Sequence, residues 1–183
     1  MSIHKMTRWL GVLFLTACLS GCAHPSQVGM TSTKLNAYNA NIKRLLVVTE
    51  IGETLKYRVG DPEAVFQSNV MDALGKCGIV TQFHKHDPLA LQNEEQLAVK
   101  SFSPDTVMTL TWKSSQTLNG IPMSSVLMGS IIDMNTKRQV WKAEINFVPA
   151  YYSGETLAAS IVNQLKQQAI LDASCPTPMI PKV

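Results

Sequence analysis

Apolar and polar positions change their spacing several times along this chain, and each change predicts an element. Residues 43–49 hold the short unbroken apolar run Leu45-Leu46-Val47-Val48, which suits a central strand buried on both faces. A loop with Gly52 and Gly60 follows, and Asp61-Pro62-Glu63 then opens a helix. Asp61 is placed as N-cap, Pro62 at the first helical position, and Glu63 near the positive end of the dipole. Phe66, Val70, Leu74 and Cys77 recur at helical spacing, and Gly78 stands where a left-handed C-terminal residue belongs. Residues 79–83 read as the next strand, so strand, helix and strand predict a right-handed βαβ unit with parallel strands.

Beyond His84-Lys85-His86-Asp87-Pro88, residues 93–100 predict a short polar helix with Leu97 as its main anchor. From residue 106 to 113, Met108, Leu110 and Trp112 alternate with Thr109, Thr111 and Lys113, which predicts a strand with one apolar and one wet face. Residues 114–123, with Asn119-Gly120 and Pro122, read as a turn region before a strand at 125–133. After a hairpin turn at 134–138, residues 139–148 place Trp141, Ala143, Ile145 and Phe147 on one face and Lys142, Glu144 and Asn146 on the other. The three strands predict an antiparallel meander with one greasy face. Ser153 reads as the cap of a last helix striped by Leu157, Ile161, Leu165 and Ala169, and the tail carries Pro176, Pro178 and Pro181.

The predicted fold class is α/β. It is a two-layer sandwich of a five-stranded mixed sheet, a βαβ unit plus the meander, with two main helices on one face. The expected strand order runs 79–83, 43–49, 106–113, 125–133, 139–148. The wet face, with Thr109, Thr111, Lys113, Lys142, Glu144 and Asn146 beside an exposed edge strand, offers a docking surface. Plain solvation is the alternative.

The beginning of the chain changes the setting. Lys5 and Arg8 precede an apolar run from Trp9 to Ala17, too short for the ~20 residues that span a bilayer. Leu19-Ser20-Gly21-Cys22 resembles the bacterial lipoprotein signal, which implies a diacylglyceryl thioether on Cys22 and cleavage before it. Ala23 rather than Asp follows, which by similarity to the enterobacterial sorting rule implies the outer membrane. Two or three acyl chains anchor stably where one binds marginally. The expected organisation is a signal at 1–21, a flexible tether at 22–41, a single α/β domain at 42–175 and an irregular tail at 176–183. A short stretch around Leu35 to Tyr38 packing on the domain is the alternative to a wholly free tether.

The 183-residue chain carries a net charge of +3, of which the signal holds two positive charges, so the mature part is near neutral. Without a basic run or basic–aromatic interleaving, nucleic-acid binding has no support. Of four cysteines, Cys18 leaves with the signal and Cys22 is lipidated, so Cys77 and Cys175 remain. In an oxidising compartment that even pair suggests a disulfide, and two separate buried thiols are the alternative. Each ends a predicted helix, and a bridge closing so long a loop contributes roughly 3–5 kcal/mol.

Arg44-Leu45-Leu46-Val47-Val48, Phe66 with Leu74 and Gly78-Ile79, Val107 with Leu110-Thr111-Trp112, and Ser130-Ile131-Ile132-Asp133 with Lys137-Arg138-Gln139-Val140-Trp141 together resemble a loose group of Gram-negative envelope lipoproteins. The same core is similar to the N-terminal domain of the Tol-Pal translocation protein and to lipoproteins of the curli channel and exopolysaccharide secretion. The resemblance spans about residues 42–172 and consists of core positions, so it implies fold rather than mechanism.

Candidate chemistry is sparse. His84 and His86 project to the same side of an extended segment beside Asp87 and are candidate Zn or Cu ligands, with loop residues at a strand end as the alternative. No Gly-x-Ser-x-Gly and no glycine-rich phosphate loop occurs. Trp112 and Trp141 read as core residues, with a ligand-stacking platform as the alternative, whereas Tyr151 and Tyr152 offer a possible contact surface, with buried packing as the alternative. The expectation is a non-enzymatic, outer-membrane-anchored periplasmic assembly or accessory factor for an envelope or secretion complex, without cofactor. Its partners would be the membrane through Cys22 and a protein or further copies of itself. The alternative is a periplasmic binding module for a small molecule, peptide or glycan near Tyr151 and Trp112, and a metal enzyme at His84 and His86 is a third.

Overall fold

The computed structural model describes residues 28–51, 61–90, 92–119, 121–148 and 154–179. In chain order these form β1 (Gly29–Lys34), β2 (Arg44–Glu50), α1 (Pro62–Gly75), β3 (Val80–Lys85), α2 (Glu94–Phe102), β4 (Thr106–Leu118), β5 (Ile121–Asp133), β6 (Arg138–Phe147) and α3 (Gly154–Gln167). The strands make one mixed sheet in the order β1-β6-β5-β4-β2-β3. β2 runs parallel to β3 and β4, and β4, β5 and β6 form the expected antiparallel meander.

The relative order of the five expected strands is found, but the sheet has six. The extra strand is β1, formed by residues 29–34, where the sequence alone predicts tether. Its sequence, GMTSTK, offers no apolar run or turn signal to find it by. What holds it is the otherwise open edge of β6, whose backbone groups pair from Gly29 opposite Asn146 to Lys34 opposite Trp141. Gln164 Nε2 of α3 donates to Ser32 Oγ at 2.8 Å, and Met30, Leu35, Tyr38 and Ala40 pack against the core.

The second correction concerns the layers. One sheet face carries the main core, where Leu45, Val47, Met108, Leu110, Leu127, Ile131, Trp141 and Ile145 meet Phe66, Val70 and Leu74 of α1 and Leu157, Ile161 and Leu165 of α3. Leu46 and Val48 point the other way, into a smaller cluster with Val107 and with Ala98 and Phe102 of α2. A third helix therefore covers part of the second face. The unbroken run in β2 requires this, because a strand apolar on both sides needs cover on both. Leu97, the expected anchor of α2, is exposed, and Ala98 and Phe102, four apart on one helical face, do the anchoring.

Local signals set the ends of α1 as predicted. Asp61 Oδ1 accepts from the Ala64 N–H at 3.0 Å, Pro62 opens the helix, and Gly78 has φ +75° just beyond its end. α1 and α3 touch almost backbone to backbone, since a Cβ on Gly154 would sit 2.2 Å from the Pro62 carbonyl oxygen. Beyond α1 and beyond α3, Cys77 and Cys175 are joined as a disulfide with their Cα atoms 5.4 Å apart.

Asp105 ties the base of the sheet together. Its Oδ2 accepts from the N–H groups of Lys43 at 2.8 Å and Arg44 at 3.0 Å, and its carbonyl accepts from Met134 N–H at 2.8 Å. Arg44 Nε donates to the carbonyls of Phe102 and Ser103, each at 3.2 Å, and its guanidinium lies 4.5 Å over the Phe102 ring. A cation is thereby fixed at the negative end of α2.

At the opposite end, β4 and β5 run well past their expected limits of 113 and 125, joined at Asn119 with φ +52°. Where the sequence predicts a turn region over 114–123, the strands themselves continue to Leu118 and from Ile121, and the Asn-Gly pair between the two runs is a hairpin signal. Among the described residues no helix is long and apolar enough to cross a membrane.

Candidate functional site

The parallel strands β2 and β3 end side by side, and in such sheets ligands enter beyond the carboxyl ends of the strands. Glu50 ends β2 and Lys85 ends β3, followed by His86, Asp87 and Pro88. Together with Glu94 from the first turn of α2 and Trp112 from β4 they line a cleft of about 610 Å³. A neighbouring cavity of about 370 Å³ shares His86, Asp87 and Glu94 and adds His84, Asn93 and Glu95.

Backbone bonds fix these side chains. The His86 N–H donates to the Thr49 carbonyl at 2.8 Å, which extends the β2–β3 pairing past the strand end. Asp87 Oδ1 accepts from the Leu89 N–H at 2.9 Å and so shapes its own turn, and Asn93 Oδ1 accepts from the Gln96 N–H at 3.0 Å to cap α2. The His86 imidazole Nδ1 meets the Glu95 carboxylate in a hydrogen bond between half-exposed groups. His84 Nε2 is enclosed and has no hydrogen-bond partner among the described residues.

The lining of the larger cleft offers three carboxylates, one ammonium, one imidazole and one indole. A polar ligand carrying donor groups can hydrogen-bond to the carboxylates and lay an apolar face on the ring. His84 and His86 do line one cavity with Asp87, as their two-residue spacing predicts. His86 is turned to Glu95, however, and among the described residues no three His, Cys, Asp or Glu side chains stand together as a metal site.

Trp112 departs from its expected place in the core. It is 46% exposed, whereas Trp141 is 1% exposed and belongs to the core as predicted. The alternation that buries Met108 and Leu110 stops holding here because β2 pairs only as far as Thr111 and the register with β5 shifts between Trp112 and Ser114. Glu50, Lys85, Glu94 and Glu95 belong to no motif of the sequence. The signal that finds them is positional: they sit at parallel strand ends and in the first turn of the helix that follows. Cys22, Tyr151 and Tyr152 lie outside the described residues.

A second surface is the part of the sheet that no described helix covers. Lys113 Nζ meets Glu144 Oε2 at 2.7 Å, and Thr109 and Ser130 share a hydroxyl–hydroxyl bond of 2.7 Å. The hydrogen bond from Lys113, then its charge and a bond from Asn146, hold the Glu144 carboxyl below the usual carboxylate range. The wet residues stand on one face as expected, and Val126, Met128 and Ile132 of β5 are half-buried among them. The expected exposed edge at β6 is not free, because β1 occupies it.

No family model matches the chain, and no curated protein matches it. Solved structures do. A PelC dodecamer from Paraburkholderia phytofirmans is 15% identical, covering 66% of this chain and 81% of that one at a TM-score of 0.39. A point variant of the PelC dodecamer from the same organism, also 15% identical, covers 79% and 98% at a TM-score of 0.43. A Xanthomonas campestris protein of the family model DUF330 is 12% identical, covering 75% and 85% at a TM-score of 0.31. These likenesses do not show the expected similarity to the Tol-Pal protein.

Proposed function

We propose that this chain is a periplasmic envelope lipoprotein, anchored in the outer membrane through Cys22, that acts by association rather than by catalysis. The observation that carries the reading is the half-covered sheet. On one face the helices α1 and α3 bury the core, while on the other, among the described residues, α2 covers β2 and the start of β4 at Val107 and leaves the rest of β4 with β5, β6 and β1 open. An open face with a paired polar lattice and three half-buried aliphatic side chains suits a protein partner or a second copy. The lipobox at residues 19–22 and the Cys77–Cys175 bridge support an oxidising envelope compartment.

The test is gentle extraction of the full-length lipidated protein, followed by native mass measurement. A defined homo-oligomer or a stoichiometric partner is the expected result, and Met128→Lys should dissociate it. A bare monomer at every concentration would overturn the reading.

A second reading has its own observation, the half-exposed Trp112 in the acidic cleft with Glu50, Asp87 and Glu94. There the protein is a binding module for a small polar ligand. A ligand that raises the melting temperature of the wild type but not of Trp112→Ala supports it. Equal shifts in both proteins would place the ligand elsewhere.

A further inference from the structure

The new strand β1 shortens the tether. With residues 22–41 free, Cys22 would leave the domain some twenty residues of slack, but Gly29, paired opposite Asn146, stands only seven positions after Cys22. Seven residues, fully extended, reach at most ~25 Å. β1 is antiparallel to β6, so its first residue lies at the end of the sheet where β6 finishes at Phe147. That is also the end from which the β4–β5 hairpin projects.

The register measures the projection. Gly29 stands opposite Asn146, and Asn146 stands opposite Val126 of β5. From Val126 the hairpin continues to the corner at Leu118 and Ile121, five residues further on, a distance of ~17 Å. Among the described residues no strand flanks this outer part, since β6 pairs with β5 only from Ser125 and β2 pairs with β4 only to Thr111. When the tether is drawn straight, the corner is therefore within ~8 Å of the lipidated residue's level.

The composition of the projecting part fits such a position. Between Lys113 and Asp133 no residue is charged. Leu118 is 61% exposed and Met123 50% exposed at the corner, and Ser114, Ser115, Gln116 and Thr117 are exposed beside them. A paired hairpin without a charge and with apolar side chains at its corner meets a headgroup region without desolvating an ion. Its outward-facing backbone groups and hydroxyls stay among hydrated headgroups, short of the hydrocarbon where unpaired ones would be costly.

We infer that the β4–β5 corner, through Leu118 and Met123, rests in the headgroup region of the bilayer to which Cys22 is anchored, so that lipid anchor and hairpin fix the domain end-on to the membrane. The inference rests on the proposed lipidation of Cys22. It commits to a lipid surface, because the short tether brings that surface to this corner and to no other end of the sheet.

The experiment uses full-length lipidated protein in vesicles of phosphatidylethanolamine and phosphatidylglycerol, with a polarity-sensitive fluorophore on Met123→Cys. A control probe on Lys137→Cys sits in the β5–β6 turn at the opposite end. The expected result is a blue shift at position 123, lost with quencher-bearing lipids, and no shift at position 137. Mass spectrometry of the amino-terminal peptide reports the anchor separately. An acylated Cys22 with a water-like probe at position 123 would overturn the inference and leave the anchor standing, while an unmodified Cys22 would remove both. A blue shift that persists in the unlipidated Cys22→Ser protein without vesicles, and grows with protein concentration, would assign the corner to a second copy instead. Leu118→Glu carrying the same probe should lose the shift while keeping the wild-type melting temperature.

Discussion

The two ends of the sheet are built from the same strands and differ in almost everything else. At the base, Asp105 holds β2 and β4 to the turn after β5, and Arg44 holds α2. Beyond the C-terminal ends of α1 and α3 the Cys77–Cys175 bridge closes a separation of 98 residues. At the far end the strands stop at different heights, leaving the cleft around Trp112 and the bare hairpin corner. A domain whose stability is concentrated at one end can keep the other irregular, with exposed apolar and acidic groups, without losing its fold. Binding and docking sites are drawn from such weakly held regions.

The largest way to break this contrast is to open the bridge. Cys77→Ser and Cys175→Ser should each cost about 4 kcal/mol under oxidising conditions, and the double variant should add little. Thermal unfolding of the three proteins checks it, and additive losses would mean the two do not act as a pair. Next is the helix crossing. Gly154→Ala should cost about 3 kcal/mol in denaturant unfolding, because its new methyl meets backbone of α1 rather than a movable side chain. Asp105→Ala should cost about 2 kcal/mol by leaving the Lys43 and Arg44 N–H groups without their acceptor.

The Tyr38 phenol sharpens the same end through pH. Burial, with Asp133 and Asp105 adding and a bond with Thr106 opposing, holds it above its usual range. The fold favours the neutral phenol, so this contribution is complete below the ordinary tyrosine value near ~10 and is lost as pH rises through the raised one. Alkaline titration of stability should therefore fall more steeply in wild type than in Tyr38→Phe. The smallest effect belongs to the open surface: Lys113→Ala and Glu144→Ala should leave the midpoint of unfolding unchanged, since their ion pair is solvated.

Much of the fold was legible because it follows from local pattern. The caps at Asp61 and Gly78, the stripe of α1, the alternation of β6 and the order of five strands all come from neighbours a few residues apart or from the handedness of a βαβ unit. The pairing of Cys77 with Cys175 was suggested by compartment and count. The candidate site was much less legible. His86 stands out only as a histidine, while Glu50, Lys85 and Glu94 carry no motif, and the alternation around Trp112 points to the wrong environment.

The sequence by itself determined the α/β class, the central position of β2 and the absence of any local apolar signal in residues 29–34. Only tertiary structure decided that those residues form a sixth strand, that α2 covers the second face of β2, and that Trp112 leaves the core. Each of these depends on a partner distant in the chain: the free edge of β6 for β1, both faces of β2 for its helices, and the ends of β2 and α2 for Trp112. A periodic pattern reports which face of an element is apolar, but the length and cover of its neighbours decide where that face stops being buried.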